Sequence, residues 1–416
     1  MTTLADNKEG ERTLLSVDEA LDAILAGVAP VAGTQRCELH EALGRVLAQD
    51  VMSPIDVPAH DNSAMDGYAL RSADLKSAGE TRLRIAGSAF AGRPYEGEVA
   101  AGECVRIMTG AVLPAGADTV VMQEVAGVDG AHAVIPPGQK PRLNTRRRGE
   151  DLRAGSVALA AGKRLSPADI GLVASLGIGE VDVRRRVRVA IFSTGDEVQA
   201  IGTATQPGQI YDSNRHTLWG MLTRLGCEVI DLGIVRDRPD ALEHALREAA
   251  ANADAVITSG GVSVGEADFI RELMTKLGDV AFWKIAMKPG RPMAFGRIGN
   301  ASLFGLPGNP VATMVAFCWF VRPALLKLAG VAPIAALPMF SVRCSEALRK
   351  GKGRTEFLRG VVTRGDDGWQ VRSTGAQGSG ILRSMSEANC LIVLESERGD
   401  VTPGDMVSVQ PFEGLM

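Results

Sequence analysis

Between residues 187 and 328 the chain alternates between two hydrophobic periods. Apolar runs in "VRVAIFS", "CEVIDLGIV" and "DAVITS" each stop at a polar turn, and the segments between them bring apolar residues back every three or four positions. The runs predict buried strands. The spaced segments predict helices over "SNRHTLWGMLTRLG", capped by Ser213 or Asn214 and closed by Gly226, and over "RPDALEHALREAAAN" and "EADFIRELMTKLG". "VAFWKIAM" predicts another strand, and Pro310 opens a long helix reaching about Leu328. Strands alternating with helices imply an α/β fold with a doubly wound, mainly parallel sheet.

The flanks have a different rhythm. Ser16 opens a helix with a capping box, "SVDE", and Ala20, Leu21, Ile24, Leu25 and Val28 follow at helical spacing. A second short helix is predicted over about 38–48, and a capped helix in "SPADIGLVASLG". Short β-like runs with frequent turn signals fill 50–140: "RLRIAG", "ECVRIM", "DTVVMQEV" and "HAVIPP". After residue 333, five more predict a small barrel or sandwich: "FSVRCSEAL", "TEFLRGVVTR", "GWQVRS", "NCLIVLES" and "DMVSVQPF". The breaks fall near 50, 140, 180 and 333.

Composition narrows the classes. At 416 residues the chain exceeds one core. A formal net charge of -4 gives no global basic field, so bulk nucleic-acid binding is not expected. Six cysteines without a CxxC pair and five scattered histidines give no zinc or iron–sulfur spacing, and suit a reducing compartment. The first residues lack a signal-peptide apolar core, and the longest apolar run, 311–321, is short of the ~20 residues of a membrane helix. A soluble, cytoplasmic protein without a membrane span is expected.

Ligands of open α/β sheets bind beyond the carboxyl ends of the strands. Three polar turns fall there: "STGDE" (193–197), "RDRPD" (236–240) and "SGGVSVGEAD" (259–268). In the last, Gly260, Gly261 and Gly265 let backbone N–H groups approach an anion, with the Ser259 and Ser263 hydroxyls beside them. It is neither a P-loop nor GxGxxG, and a plain tight turn with a helix cap has the same composition. Glu197, Asp237 and Asp268 should converge. Carboxylates beside a phosphate need a cation between them, and hard oxygen ligands favour Mg²⁺; each acid alone also suits a helix cap. Lys284 and Lys288, four apart on one predicted strand, should share a face as an anion clamp, with Trp283, Ile285 and Met287 on the other and Arg291 in the following turn. "LPGNP" (306–310) offers a helix N-terminus at Pro310. "DNSAMDGYA" (61–69) reads as a polar loop and "NTRRRGED" (144–151) as a charge run, and each suits a solvated surface as well as a site.

Taken together and in order, "DNSAMDGYA", "RIMTGA", "RRRGED", "STGDE", "SGGVSVGEADF", "WKIAMKPGRP" and "LPGNP" resemble the MoeA family of molybdopterin molybdenumtransferases, also represented by the E domain of gephyrin. The likeness runs from about residue 14 to the C-terminus. It implies a multidomain α/β plus β architecture: a discontinuous helical linker domain (14–50 and 141–180), an inserted β domain (51–140), a MogA-like doubly wound α/β domain (181–332) and a C-terminal β barrel (333–416). It implies a homodimer that, with Mg²⁺, transfers molybdate into adenylylated molybdopterin and releases AMP. Contacts with a MogA-type adenylyltransferase and with recipient molybdoenzymes are expected.

The family's site lies between the α/β domain of one subunit and the inserted domain of the other. Carried over by motif, Asp66, Thr109, Glu197, Asp268, Lys284 and Lys288 are catalytic candidates. Glu197, Asp237 and Asp268 are the metal candidates. Arg146, Asp151, Ser259, Gly260, Gly261, Ser263, Gly265, Pro307, Pro310 and Ser379 are candidate ligand-binding residues, and Asp66 is the first candidate for activating the attacking oxygen. The substrate carries its own dithiolene sulfurs, which agrees with scattered cysteines. Three other readings compete: adenylylation of molybdopterin, which needs ATP; a non-catalytic cofactor carrier or receptor-anchoring scaffold; and a preference for tungstate.

Overall fold

The computed structural model describes residues 14–261 and 268–413, with the side chains of 268–271 outside the description. A seven-stranded sheet runs in the order Leu14–Leu15, Gly278–Ile285, Pro292–Ile298, Ala301–Leu306, Ala255–Ser259, Arg188–Thr194, Glu228–Val235. The last four strands are mutually parallel, and Pro292–Ile298 runs against them. Every residue of Ala255–Ser259 and Ala301–Leu306 is buried, as expected of parallel strands covered on both faces. One face packs Ile191, Phe295 and Phe304 against the helices Val17–Gly27, Asn214–Leu225 and the long helix from Pro310. The other packs Phe192, Val256 and Leu303 against Pro239–Asn252 and Asp268–Leu277.

The Ser16 capping box forms in both directions: Glu19 N–H donates to Ser16 Oγ (3.2 Å) and Ser16 N–H to Glu19 Oε2 (2.8 Å). The helix it starts puts Val17, Ala20 and Ile24 into the α/β core. The opening residues, expected to begin a linker, therefore pack with the sheet. The helix Pro310–Leu328 is long and apolar enough to cross a membrane, but 83% of that window is buried, and it is a core helix.

The linker region departs most from the pattern. It consists of paired short strands, Thr34–Glu38 with Glu180–Arg184, Val51–Met52 with Val157–Leu159 and Asn62–Ser63 with Thr145–Arg146, plus the helix Pro167–Ser175. The helix predicted over 38–48 is a single 3-10 turn, Leu39–Ala42. Gly44, at φ +73, ends it, and Val46 and Leu47 then bridge to Arg164 and Val183.

The pairing of 51–52 with 157–159 leaves the intervening chain as an insertion. A six-stranded sheet fills it, in the order Thr119–Met122, Gly67–Leu70, Glu103–Ile107, Thr81–Ala89, His132–Ile135, Gly127–Asp129. At the other end of the chain, Phe340–Cys344, Thr355–Gly365, Gly368–Ser373, Cys390–Leu394 and Met406–Pro411 close into a barrel, because Thr355–Gly365 pairs with both Gly368–Ser373 and Cys390–Leu394. The barrel is docked on the long helix: Trp319 and Phe357 pack with ring centroids 4.7 Å apart and their planes tilted by 54°.

Candidate functional site

The carboxyl ends of the parallel strands open into a cleft of about 430 Å³. A second lobe of about 330 Å³ shares Thr194, Glu197, Gly260, Gly308 and Asn309 with it. Glu197, Asp237, Gly260, Gly261, Lys288, Pro307 and Ser379 line the first lobe. Ser259 and Pro310 line the second. Nine of the residues singled out by motif thus meet in one concavity.

Local constraints explain the residue types. Gly260 sits at φ +94, and a Cβ there would lie 2.5 Å from the Thr194 carbonyl oxygen, so only glycine fits. Asp237 accepts the Thr194 hydroxyl, which fixes one carboxylate at the rim. Asn214 joins the loops: its Nδ2 donates to Ser259 Oγ and to the Gly308 carbonyl, each at 2.7 Å. Ser193 donates to Asp212 (2.9 Å), and Arg215 holds the other oxygen of Asp212 (2.9 Å). Asn214→Ala should remove both bonds, leave the buried Ser259 hydroxyl without its donor and loosen the cleft, lowering turnover by roughly 10- to 100-fold. Asn214→Asp, which presents no N–H donor, should not rescue it. Steady-state kinetics of both variants check this.

Lys284 and Lys288 do not lie on one continuous strand as predicted. The strand ends at Ile285, and Met287–Lys288 pairs instead with Thr355–Glu356 of the barrel. The apolar half of the prediction holds, since Trp283, Ile285 and Met287 share one core cluster. Lys288 reaches the cleft, where buried Glu356 holds its Nζ at 3.2 Å. Lys284, between Leu14 and Pro292 in the sheet, does not line it.

The barrel's part was not legible in the motifs beyond Ser379. Gln377, Gly378 and Ser379 close one wall, and the Ser379 carbonyl accepts from Val311 N–H (3.1 Å) at the start of the long helix. Beneath them lies Arg359, fully buried. It donates to Ser384 Oγ and to the Gly378 carbonyl, each at 3.0 Å, and its NH1 atom has no partner. Burial pushes its guanidinium down to about 10, so it remains a cation at neutral pH. The one hint in sequence was a basic residue inside the apolar strand "TEFLRGVV".

The inserted sheet carries a second group. "DNSAMDGYA" is not a free loop: Asn62–Ser63 and Gly67–Leu70 are strands, drawn in by the apolar "YAL". Asp66 lies between them, and its Oδ1 accepts both the backbone N–H and the hydroxyl of Thr109, each at 2.7 Å. Those donors, the backbone one first, hold the carboxyl below its ordinary range. A carboxylate so stabilised is a weak base and a good fixed anion or metal ligand. Any step needing ionised Asp66 persists to acid pH and fades as pH falls through the lowered pKa. Thr109→Val should move the acid limb of a pH–rate profile up, toward the ordinary value of about 3.9.

Arg146 pairs in strand with Asn62, and Asp151 follows the turn in which Arg148 N–H donates to Asp61 (2.7 Å). Asp66, Thr109, Arg146 and Asp151 line neither lobe of the cleft within one chain. Ser263 and Gly265 lie outside the described residues, as does the side chain of Asp268, whose backbone opens a helix.

Oxygen donors dominate the cleft. Among the described residues no group of three or more metal-ligating side chains gathers. Glu197 and Asp237 border the same lobe, which fits a cation taking one or two carboxylates and completing its shell from water and phosphate.

Comparison with known proteins agrees with this architecture segment by segment. Residues 15–177 match the MoeA N-terminal region (domain I and II), 190–327 a probable molybdopterin binding domain, and 341–412 the MoeA C-terminal region (domain IV). The chain is 45% identical to a molybdopterin molybdenumtransferase of Haemophilus influenzae, over 97% of this chain and 100% of that one. It is 33% identical to gephyrin of Dictyostelium discoideum, over 94% of this chain and 61% of that one. The crystal structure of the molybdopterin biosynthesis moeA protein from Pyrococcus horikoshii superposes with a TM-score of 0.82 at 27% identity, covering 96% of this chain and 100% of that one. By sequence along its length and by fold, the chain belongs to the MoeA family of molybdopterin molybdenumtransferases.

Proposed function

We propose that this protein is a molybdenum insertase: it transfers molybdate into adenylylated molybdopterin and releases AMP, yielding the molybdenum cofactor. The observation that carries the reading is the cleft itself. Lys288, a cation, lines it together with two carboxylates, Glu197 and Asp237, and with Gly260 and Gly261 at a strand end. Two anions that repel each other, an oxyanion and a pyrophosphate-linked nucleotide, need both kinds of group.

In this mechanism the N–H groups around Gly260 and Gly261 receive phosphate oxygens. Lys288, pinned by Glu356, offsets charge on the incoming molybdate, and buried Arg359 adds a fixed positive field from below. Glu197 and Asp237, with Asp268, would hold Mg²⁺, whose chemistry is to polarise the anhydride. Asp66, held ionised by Thr109, would complete the site from the inserted sheet of a second copy, as Arg146 and Asp151 would from the linker region. A homodimer follows. Lys284 stands back from the cleft and would act on the site through the sheet.

The test supplies purified protein with adenylylated molybdopterin, molybdate and Mg²⁺, and measures activation of a cofactor-free molybdoenzyme. Activation without ATP is expected. Activation only when ATP and unmodified molybdopterin are supplied would assign adenylylation instead. Binding of the adenylate without turnover would make the chain a carrier or scaffold.

A further inference from the structure

Outside the cleft, five arginines line one small cavity: Arg45, Arg164, Arg184, Arg185 and Arg186. It lies where the linker ribbon meets the end of the helix Asn214–Leu225 and the last turns of the long helix, at Gly226, Cys227 and Leu325. It shares no lining residue with either lobe of the cleft.

Its charge is unbalanced. Among the described residues only Arg185 has a carboxylate partner, Asp254, held through both terminal nitrogens at 2.7 Å. Arg45, Arg164 and Arg186 donate to carbonyl oxygens, those of Arg184, Gly44, Leu225 and Gly226. The Arg184 side chain makes no hydrogen bond or ion pair among the described residues. Arg322, one turn before Leu325, has a buried Nε without a partner, and its charge opposes that of Arg164. Glu41 and Glu228 act on Arg45 and Arg185. The helix-end carbonyls add a partial charge of roughly half a unit. Neither balances Arg164, Arg184, Arg186 and Arg322.

The cavity holds about 30 Å³, space for roughly two waters, a size that matches one small oxyanion. Guanidinium forks suit tetrahedral oxygens. We propose that this cavity binds one small tetrahedral oxyanion of the sulfate, phosphate or molybdate class, held chiefly by Arg164, Arg184 and Arg186. The bound anion is a counter-ion that ties the linker ribbon to the α/β body.

The experiment uses the full chain dialysed into chloride. Sodium sulfate, phosphate and molybdate are titrated separately by calorimetry at fixed ionic strength, and crystals are soaked in sodium selenate for anomalous scattering. Arg184→Gln is the primary variant, because its side chain has no partner to lose; Arg186→Gln is the second should the first fail to fold. Expected are a selenate peak among the five arginines and at least a ten-fold loss of sulfate affinity in the variant, with Lys288→Gln retaining this binding. Equal affinities for the three anions would make the site a general oxyanion site; molybdate ten-fold tighter would make it a molybdate site. No peak in the cavity, or an affinity unchanged by either arginine variant, means an adventitious ion only and overturns the proposal.

Discussion

A mixed dimer of one Asp66→Asn chain and one Lys288→Gln chain is expected to turn over at about half the wild-type rate, whereas either variant alone falls by roughly 10²- to 10³-fold. The reasoning is geometric. Asp66 and Thr109 sit on the inserted sheet, Lys288 sits where the α/β strands meet the barrel, and no inserted-sheet residue lines the cleft of its own chain. If the site is shared across a two-fold axis, one of the two sites in the mixed dimer keeps both native residues and the other loses both. If each chain builds its own site, both sites in the mixed dimer are damaged and activity stays at the level of the single variants. Differently tagged chains, co-expressed and purified through both tags, provide the measurement. Failure to recover a doubly tagged species would remove the dimer from the account.

Gly67→Ala should have the largest structural effect of any single methyl added to the inserted sheet. A Cβ at Gly67 would stand 2.0 Å from the Val121 carbonyl oxygen and 2.9 Å from Met122 Cα. These are backbone atoms of the neighbouring strand, so no side chain can swing aside. The cost is about 3 kcal/mol or more, and the sheet should melt at least about 10 °C lower. Gly67 directly follows Asp66, so the close strand approach that requires glycine also presents the carboxylate to Thr109. Scanning calorimetry should show the inserted sheet's transition moving down while that of the α/β body stays. An unmoved transition would mean the strands are not this close in solution.

The sequence exposed the α/β body well because its signals were local. Ser16 with Glu19, Pro239, and Gly226 at φ +91 each mark a helix end by a rule that needs no tertiary contact. The five barrel strands were equally legible from their turns. The hairpin Pro292–Ile298 with Ala301–Leu306 was not, because strands buried on both faces lose the alternation that marks a strand. The linker misled for a different reason. The apolar spacing around Leu39 and Leu43 suits a helix, but Gly44 and pairing with residues more than a hundred positions away win. The cleft-lining positions of Glu197, Asp237 and Gly260, at or just beyond strand ends, followed from topology. Arg359 and Glu356 did not, because their role depends on a barrel docking against a helix, which no local spacing encodes.

The proposed insertase reaction requires that molybdate entry be coupled to cleavage of the adenylate. The measurement is AMP release under single turnover, with protein in excess over adenylylated molybdopterin and Mg²⁺ present, with and without molybdate. One AMP per molybdenum incorporated, and little AMP without molybdate, is the expected result. AMP released at the same rate without molybdate, or molybdenum incorporated while the adenylate stays intact, would contradict it.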